Sequence, residues 1–596
     1  MAKWKLLETD ADLALMVKIL GIREPVAAVM ANRGVRSKKA AIAYLRPGLE
    51  NLGNILTMKD TEFAFNRIAE GIRLGQKIMI YGDYDVDGVM STVILYRALK
   101  ACDGDVDYYI PHREEEGYGL NMGAIRNLRE AETDLLITCD NGIASLAEIE
   151  EAQKIGMDVI VIDHHEPGFV ENFGNREDVL PNAIAVIDPK QSACPYPFKE
   201  MCAGGLAFRL MWAFFEYTKR DFSGLFDELL SLAAIATVCD IVDLMGENRV
   251  LVKSGLAALN DNKHVNVGLG QLISLKGYSD KPIDTFTLGF VLGPCINATG
   301  RLESAEMSVR LLISDNEEER MLLARKLSDL NDERKELTVK CVERALESLK
   351  TEVTDKVLVL EDIETHESIA GIVAGRVKDT LNRPTIMLTK GADIPEYPGV
   401  SIRKGSGRSI EGYNLFEALY AHRDLTIRFG GHSMAAGLSL SEKNVPILRE
   451  RLNADCTLKE SDFRAVLYID RELPPEEITL KLANELAWLA PFGKGNREPL
   501  FSTRGLNCIG LRVLNEKSTL IFTFDAGGRK LKGIAFGLND RFSEALREKF
   551  DESTYRRLLS GHVTGLIMDV AYTVESNTYN GQTSVQIRIK DFLIDC

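Results

Sequence analysis

Short apolar runs alternate with amphipathic stretches from residue 77 to residue 165, and this alternation constrains the fold more than any other feature of the chain. The short runs have the length of buried strands, and the longer stretches have the apolar spacing of helices. Strands that alternate with helices build βα units around a mostly parallel sheet, so we predict an α/β protein. The segments are, in order, "KIMIYGD", "GVMSTVILYRALKAC", "DVDYYIP", "DLLITCD", "SLAEIEEAQKIG" and "DVIVIDHH".

Three of these runs end in an acidic residue, at Asp83, Asp140 and Asp163. In open α/β sheets the ligand lies in a crevice beyond the carboxyl ends of the strands. We therefore expect these three carboxylates to converge at one edge of the sheet.

The first acidic stretch, "YGDYDVDGVM", places Asp83, Asp85 and Asp87 at every second position and follows them with a glycine. An EF-hand calcium loop also carries spaced aspartates, but it needs a glutamate at its twelfth position and a helix on either side. Here a strand precedes the acids, which argues against an EF-hand. An acidic turn that faces water is the alternative for this stretch alone.

Two adjacent histidines, in "VIDHHEP", follow the strand that ends at Asp163, and Asp240 emerges from the apolar run "AAIATVCDIVDL". A carboxylate in apolar surroundings is costly unless something pairs with it. Oxygen and imidazole ligands together suit Mn²⁺ or Mg²⁺ in a two-ion site, which catalyses in-line phosphoryl displacement. Asp85 or Asp140 is the candidate bridge between the ions. The candidate metal ligands are Asp85, Asp87, Asp140, His164, His165 and Asp240.

Neither glycine nor proline occurs between Gly300 and Gly371, and residues 315–350 carry apolar side chains at helical spacing among many charges. We predict one long helix, roughly 50 Å in length, that connects two domains. A coiled-coil dimer is the alternative, but the apolar repeat is short and irregular.

A second α/β pattern follows this helix, and the chain becomes β-rich from about Phe463. Two hairpins that turn at Gly-Gly and at Asn-Gly are expected in the β-rich part, which closes most naturally into a small β-barrel. The second α/β pattern consists of strand "KVLVLE", helix "ESIAGIVAGRVKDTL", strand "PTIMLT", the loop "KGSGRSIEG" and the turn "FGGHSMAAG".

Several of these stretches resemble ordered motifs of a known family. The chain resembles the DHH phosphoesterase superfamily in the stretches "GDYDVDG", "TCDNG", "DHH" and "ATVCDIVDL". It resembles the RecJ single-strand-specific exonucleases in the stretches "PHREEEGYGLN", "GPCINATGRLESA", "SGRS", "GGHSMAAG" and "APFGKGNREP". The resemblance runs from about residue 50 to the end of the sequence.

The resemblance implies a DHH domain with a mostly parallel sheet, a long connecting helix, a second α/β DHH-associated domain and a C-terminal OB-like β-barrel. The expected ranges are 1–50 for an N-terminal segment, 51–300 for the DHH catalytic domain, 301–352 for the connecting helix, 353–460 for the DHH-associated nucleotide-binding domain and 461–596 for the OB-like nucleic-acid-binding domain.

The resemblance also implies roles for single residues, beginning with the same six metal ligands. It makes His164 catalytic as well as a ligand, and it implies that Asp163 orients the histidine pair. Related DHH pyrophosphatases carry a ligand histidine where this chain has Tyr81, which leaves one metal-ligand position open. Asp83 is a candidate for that position. Otherwise Asp83 is expected to lie beside the metals and to have a catalytic role. Arg301 is expected to steady the scissile phosphate. The expected nucleic-acid contacts are Arg301, Ser406, Arg408, Ser409, Gly431 and His432.

Some of these residues have plainer alternatives. Arg408 could be an ordinary surface arginine, and His432 an ordinary turn histidine. Phe492 could contact nucleic acid or only pack against the barrel.

The function implied is that of a single-stranded-DNA-specific 5′–3′ exonuclease, which uses two Mn²⁺ or Mg²⁺ ions, releases 5′-mononucleotides and acts in DNA repair and recombination. A DHH phosphodiesterase for nano-RNA or cyclic dinucleotides is one alternative, but such enzymes lack the barrel predicted after Phe463. A catalytically inactive DHH scaffold is another, and the intact ligand set argues against it.

The chain carries 72 Lys and Arg residues against 88 Asp and Glu residues, a net charge of −16 that does not suggest a polyanion-binding protein. Local gathering of basic groups in one groove would overcome this charge, because binding responds to the local field.

No secretory signal or apolar run of about 18 residues is present, and the ten cysteines include no CxxC pair. We therefore expect a cytoplasmic, reduced monomer without membrane contact. Its substrate would be single-stranded DNA, and the resemblance implies single-strand-binding protein and a helicase as partners.

Overall fold

The computed structural model describes residues 2–172, 175–261, 265–349, 353–514, 518–561 and 566–595. Its first elements are one short strand and three helices, and Asp12 and Ser37 cap the first and third helices by accepting hydrogen bonds from backbone N–H groups. These elements are β1 (Lys3–Leu6), α1 (Leu13–Leu20), α2 (Glu24–Asn32) and α3 (Lys38–Leu45).

The first lobe is built on a five-stranded parallel sheet in the order β3-β2-β4-β5-β8, which confirms the predicted βα alternation. Its central strands are buried on both faces, as parallel strands covered by helices must be. The elements are α4 (Thr61–Leu74), β2 (Lys77–Tyr81), α5 (Val86–Ala101), β3 (Asp105–Tyr109), α6 (Met122–Glu130), β4 (Leu135–Cys139), α7 (Leu146–Lys154), β5 (Asp158–Ile162), β6 (Gly168–Asn172), β7 (Asn175–Val179) and β8 (Ala185–Ile187).

Helices complete the first lobe and pack mainly against α5 and against each other. Between α11 and α12 the chain forms a π-helical segment, Thr287–Leu292. The helices are α8 (Ala203–Tyr217), α9 (Ser223–Cys239), α10 (Gly246–Asp261), α11 (Val267–Leu275), α12 (Gly293–Leu302) and α13 (Glu306–Ile313).

A single long helix, α14 (Glu317–Ser348), joins the two lobes and confirms the predicted connector. Asn316 caps it by accepting hydrogen bonds from the N–H groups of Glu318 and Glu319. At 1.5 Å per residue its 32 residues span about 48 Å. Leu323 and Leu327 lie in the core of the first lobe, whereas Cys341 and Ala345 lie in the core of the second lobe. The predicted end of this helix, at residue 350, lies outside the described residues.

The second lobe is a five-stranded mixed sheet in the order β12-β13-β11-β10-β9, with helices on both faces. Only β9 and β10 pair in parallel. The elements are β9 (Leu358–Glu361), α15 (Glu367–Leu381), β10 (Thr385–Lys390), β11 (Ile402–Arg408), α16 (Leu415–Ala421), β12 (Thr426–His432), β13 (Ala435–Ser441) and α17 (Val445–Asp455).

The prediction of a loop at "KGSGRSIEG" and of a turn at "FGGHSMAAG" is correct only for residues 409–412 and 433–434. Most of the first stretch belongs to β11, and the second forms the ends of β12 and β13 around a turn at residues 433–434. The glycines of β11 serve close packing instead of a turn. A Cβ on Gly405 would lie 2.4 Å from Leu388 Cδ2, and one on Gly407 would lie 2.6 Å from Leu415 Cδ2.

The C-terminal part closes into a barrel, as predicted, because β16 pairs with both β17 and β19 while β18 and β20 complete the circuit. Its hairpins turn at Gly527-Gly528 and at Asn580-Gly581, and all four residues have positive φ. The elements are β14 (Val466–Ile469), β15 (Arg471–Glu472), α18 (Leu480–Ala487), β16 (Phe501–Leu514), β17 (Thr519–Asp525), β18 (Lys530–Phe536), α19 (Asn539–Lys549), α20 (Glu552–Leu559), β19 (Leu566–Tyr579) and β20 (Gln582–Asp595).

The N-terminal segment shares a strand pair and an apolar core with the C-terminal part of the chain. Strand β1 pairs in parallel with β14, and Met16 and Val26 share one apolar core with Phe501 and Phe522. The buried Arg249 of the first lobe donates hydrogen bonds to backbone carbonyls of Tyr44 and of residues 488–491, so it joins these parts. Across the described ranges no helix combines the length and apolarity needed to span a membrane.

Candidate active site

The carboxyl edge of the first-lobe sheet carries an aspartate after each of four strands. Asp83, Asp140, Asp163 and Asp188 follow β2, β4, β5 and β8, and all four side chains are buried. The expected convergence of the first three is therefore confirmed. The fourth, Asp188, was missed, although the apolar run "AIAVID" ends in an acid just as the other runs do.

The turn after β2 brings Asp83, Asp85 and Asp87 together. Asp85 caps α5 by accepting a hydrogen bond from the N–H of Gly88 at 3.1 Å. A Cβ on Gly88 would lie 2.6 Å from the carbonyl carbon of Asp83, so only glycine allows this tight approach. The start of α5 thus holds three carboxylates at the sheet edge.

Asp87 is buried where α5 meets the start of α8. Its two oxygens accept hydrogen bonds from the N–H groups of Ala203 and Gly204, both at 2.7 Å. Burial and the charge of Asp85 raise the pKa of Asp87 to about 6, against these hydrogen bonds. Hydrogen bonds therefore fix the position of the Asp87 carboxylate, but they do not compensate its negative charge.

His164 stands at the centre of the cluster. Its Nε2 lies 3.1 Å from Asp140 Oδ1 and 3.5 Å from Asp87 Oδ2, and its Nδ1 lies 3.8 Å from Asp240 Oδ2. Burial, followed by the charge of His165, lowers the pKa of His164 to about 3. A neutral imidazole keeps a lone pair for a metal ion.

Ligand atoms of seven residues form three overlapping groups, and the atoms within each group lie within 4.8 Å of one another. These groups bring together all six predicted ligands and add Asp83. The groups are Asp87, His164 and Asp240; Asp140, His164 and His165; and Asp83, Asp85 and Asp140.

The donor set fits divalent cations. Asp83 Oδ1 and Asp240 Oδ2 are buried and have no hydrogen-bond partner in the described part of the chain. Burial and the neighbouring carboxylates raise the pKa values of Asp83, Asp140 and Asp240, that of Asp240 to about 8. Cations would satisfy the orphaned oxygens and offset the repulsion, and oxygen with imidazole is a donor mix that Mn²⁺ accepts.

Asp163 contacts the histidine pair from behind. Its Oδ1 accepts hydrogen bonds from the N–H of His164 at 2.7 Å and lies 2.7 Å from His165 Nδ1, while Oδ2 accepts one from the N–H of Ile143 at 2.9 Å. Burial alone would raise the pKa of Asp163, but the hydrogen bonds and charge of His165 outweigh it and lower the pKa. The geometry agrees with the predicted orienting role.

Tyr81 points away from the metal ligands. Its buried hydroxyl donates a hydrogen bond to the carbonyl of Gly119 at 3.2 Å. Asp83, in contrast, lies in one ligand group with Asp85 and Asp140. This position favours Asp83 as the ligand that replaces the histidine expected at residue 81.

Tyr118 borders the cluster and was not predicted. Its hydroxyl donates a hydrogen bond to the carbonyl of Asp140 at 3.2 Å and also contacts the ring of His165. It lies within the stretch "PHREEEGYGLN", so the motif itself was the available signal.

A cluster of arginines lies near the proposed metal ligand Asp85, where the two lobes contact each other. Arg301, near the end of α12, donates a hydrogen bond to the carbonyl of Ser368 in the second lobe. Burial, and then the charges of Arg113, Arg334 and Arg408, lower the pKa of Arg301 to about 10, while Asp85 opposes this shift. The prediction did not include Arg113, although it lies in the stretch "PHREEEGYGLN", or Arg334, which only the folded chain brings close to Arg301.

Arg408 lies at the end of β11 against α15. Its Nη1 donates hydrogen bonds to Ser406 Oγ at 2.9 Å and to the carbonyl of Gly407 at 2.8 Å. A Cβ on Gly371 would lie 2.7 Å from Arg408 Nη2, so a glycine in α15 makes room for this side chain. Burial lowers the pKa of Arg408, and no carboxylate among the described residues forms an ion pair with it. These features differ from those of an ordinary surface arginine.

The remaining predicted contacts of the second lobe differ in exposure. Strand β13 lies between β11 and β12, and its Ala435 pairs with Arg408 on one side and with His432 on the other. His432 and Gly431 are exposed. Ser409 is buried and its hydroxyl donates a hydrogen bond to the carbonyl of Tyr413 at 2.6 Å. Ser409 therefore supports the turn after β11, whereas Ser406 and Arg408 lie against α15 and His432 is exposed.

The fold and the acid-histidine edge are those of DHH-type phosphoesterases. The models of the DHH family N-terminal domain, the DHHA1 domain and the RecJ OB domain match residues 77–237, 354–457 and 469–591. The chain belongs to the RecJ family of single-stranded-DNA-specific exonucleases.

Three comparisons support this assignment. The chain is 36% identical to the single-stranded-DNA-specific exonuclease RecJ of Bacillus subtilis (strain 168), over 99% of this chain and 70% of that protein. It is 32% identical to the corresponding RecJ of Salmonella typhimurium, over 94% of each chain. The crystal structure of RecJ from Thermus thermophilus in complex with Mn²⁺ matches with a TM-score of 0.79 and 29% identity, over 99% of this chain and 79% of that one. A second structure of that protein is a complex with Mg²⁺.

Proposed function

We propose that the chain is a metal-dependent exonuclease that degrades single-stranded DNA in the 5′–3′ direction and releases 5′-mononucleotides. The observation that carries this proposal is the juxtaposition of two features: three overlapping groups of metal-ligand atoms on the first lobe, and a nearby arginine cluster that reaches the second lobe. A phosphodiester substrate needs both, because cations act at the scissile phosphate while arginines hold phosphate oxygens.

The metal ligands in this proposal are Asp85, Asp87, Asp140, His164, His165 and Asp240, with Asp83 as a seventh candidate. Two divalent ions held there would supply an activated water and charge stabilisation for in-line displacement at phosphorus. The protein's own part is to hold this set rigidly. Asp87 is fixed by two backbone N–H groups, and His165 is oriented by Asp163.

On the second lobe, Arg408 would bind phosphate oxygens, with Ser406, Gly431 and His432 beside the strand. Arg301, at the end of α12, would bind them from the metal side. The glycine at 371 lets α15 approach Arg408 closely, and the bonds to Ser406 and Gly407 limit its rotamers. This local field explains how a chain of net charge −16 could bind a polyanion. A gap that aims one terminal phosphate at the metal ligands would also exclude a second strand.

The proposal is tested with single-stranded DNA and RNA of one sequence, labelled at the 5′ or the 3′ end, with Mn²⁺ and with or without chelator. We expect a 5′ label to appear at once as mononucleotide and a 3′ label to give a ladder of shortening strands, on DNA only. The reverse pattern would contradict the polarity. Preferential hydrolysis of cyclic dinucleotides would favour a small-substrate phosphodiesterase.

The ligand assignment is tested by Asp87→Asn, which should abolish nucleotide release while circular dichroism shows that the protein still folds. The melting temperature should fall, because asparagine offers one acceptor oxygen to the two N–H groups of Ala203 and Gly204. Asp105→Asn is the matched control, because Asp105 is exposed at the opposite end of a strand in the same sheet. An active Asp87→Asn protein would remove Asp87 from the proposed metal site.

The proposal extends to the setting of the enzyme: a monomer in the cytoplasm that works beside a helicase and single-strand-binding protein. The nine cysteines that the structure describes are free thiols, which supports a reducing compartment. Light scattering on the purified protein would test the monomer, and titration with single-strand-binding protein would test that partner.

A further inference from the structure

Two phenylalanines lie exposed at the beginning of the helical segment that leads to Arg301. Phe286 is 58% exposed and Phe290 is 69% exposed, and their rings stack with centroids 5.1 Å apart and planes 21° apart. Phe286 directly precedes the π-helical segment Thr287–Leu292, and Phe290 lies within it. Such π-helical turns are rare and occur frequently at functional sites.

This segment packs directly against the residues that place Asp240 at the metal site. Cys239 Sγ lies 3.6 Å from the carbonyl oxygen of Leu288, and a Cβ on Gly289 would lie 3.5 Å from Val238 Cγ1. Ile241, the residue after Asp240, has φ of 60° and is 65% exposed. An exposed apolar surface thus begins one residue from a proposed metal ligand.

The same surface continues toward the barrel. Thr285 Oγ1 donates a hydrogen bond to the carbonyl of Phe492 at 2.7 Å, and the N–H of Leu244 donates one to the carbonyl of Lys494. Lys494 is largely exposed and lies 3.8 Å from Asp243. The two stacked rings therefore lie between the metal ligands and the domain matched by the RecJ OB model, with a lysine nearby.

We propose that Phe286 and Phe290 form a stacking platform for a base of the single strand held at the metal centre. The inference rests on the proposed function, since it names how that substrate is held. A stacked pair leaves an outer ring face free, and every base offers a π-face to such a ring, so the contact tolerates any sequence. The platform adjoins the surface at Asp240 on one side and the barrel on the other. This position favours a nucleic-acid base over a protein partner as its ligand.

The test compares Phe286→Ala/Phe290→Ala with the control Phe63→Ala. Phe63 is similarly exposed, at 67%, but lies on α4. On an oligo-dT substrate with Mn²⁺ we expect the double variant to raise KM about tenfold or more, because stacking contributes to binding, and to change kcat less than twofold. The control should match the wild type, and circular dichroism should show the same melting temperature for all three proteins.

A second pair of variants separates stacking from plain apolar contact. Phe290→Tyr keeps an aromatic face and should retain the wild-type KM, whereas Phe290→Leu keeps apolar area without a π-face and should raise KM. A double alanine variant with wild-type KM would overturn the inference. So would a leucine variant that binds as well as the wild type, since that result fits a docking surface for protein. Failure of the wild-type protein itself to release nucleotides would overturn the proposed function together with this inference.

Discussion

Oδ1 of Asp163 lies 2.7 Å from Nδ1 of His165, and the same oxygen accepts a hydrogen bond from the N–H of His164. One buried carboxylate therefore contacts the ring of His165 and the backbone of His164. Burial by itself would lower the pKa of His165, but the hydrogen bond and charge of Asp163 raise it to about 9. Because a carboxylate behind a histidine fixes the tautomer and ring orientation, Asp163 should influence metal binding without being a ligand.

Replacing Asp163 with asparagine should weaken Mn²⁺ binding by about 10-fold to 100-fold, because His165 would lose its orienting carboxylate. Calorimetric titration of Mn²⁺ into the purified protein measures this change. Asp158→Asn is the control, since Asp158 lies at the other end of β5 in an ion pair with Arg67. Equal Mn²⁺ affinity in Asp163→Asn and the wild type would show that the histidines are held by other contacts.

Asp240→Asn should stabilise the metal-free protein and destabilise the metal-loaded protein relative to the wild type. The pKa of Asp240 is raised from 3.8 to about 8 by burial and by Asp87 and Asp85. Its contribution to stability is therefore most favourable below pH 4 and is lost as the pH rises toward 8. In chelator at pH 8, we expect the variant to melt about 2 °C or more above the wild type, and the difference should shrink at pH 5. Thermal melts with excess Mn²⁺ should reverse the order, and a variant that is less stable in both conditions would contradict the repulsion argument.

Arg408→Ala should reduce the affinity for single-stranded DNA equally across sequences, because a phosphate contact carries no base information. The slope of log K against log[salt] should become shallower by roughly 0.7 for one lost single-strand contact. Fluorescence titration of labelled oligo-dT, with Ca²⁺ in place of Mn²⁺ to prevent cleavage, measures both quantities. Arg73→Ala on α4 is the control, and an unchanged slope in Arg408→Ala would return Arg408 to the class of surface arginines.

Removing residues 461–596 alone should destabilise the rest of the protein. The N-terminal helices would lose the apolar core that they share with the barrel, and Arg249 would lose its carbonyl partners at residues 488–491. A second truncation that also removes residues 2–45 should melt at a higher temperature than the first and aggregate less. Hydrolysis of very short oligonucleotides should survive in this second protein, since the proposed metal ligands all lie in the first lobe. Equal melting temperatures of the two truncations would show that the shared core contributes little.

The metal side of the site could be predicted because its signals are local. Each buried strand is a short apolar run, and a carboxylate directly after such a run has few explanations other than a partner at the sheet edge. The glycines of the second lobe were misleading for the same reason. The stretch that contains Gly405 and Gly407 is predicted to be a loop, whereas both glycines lie in β11, where a Cβ would clash with Leu388 or Leu415. Whether a glycine serves a turn or close packing depends on neighbours that are distant in sequence.

The arginine side could be predicted only in part. Arg301 and Arg408 lie in motifs, but Arg334 is one of many charged residues on α14, and only folding brings it near Arg301. The pairing of β1 with β14 joins residues more than 400 positions apart, so no local pattern could indicate it. The predicted domain limits and the role of each site residue remain predictions.

The continuous helix α14 has a consequence for how the length of this chain can vary. Each residue inserted into or deleted from α14 between Leu327 and Cys341 would rotate the second lobe by about 100° and shift it by about 1.5 Å relative to the first. Arg408 would then leave the arginine cluster around Arg301, although every local contact within each lobe could persist. The exposed segment 391–400 between β10 and β11 imposes no such angular condition. Small insertions and deletions should therefore accumulate in that loop, while the length of α14 changes, if at all, by whole turns.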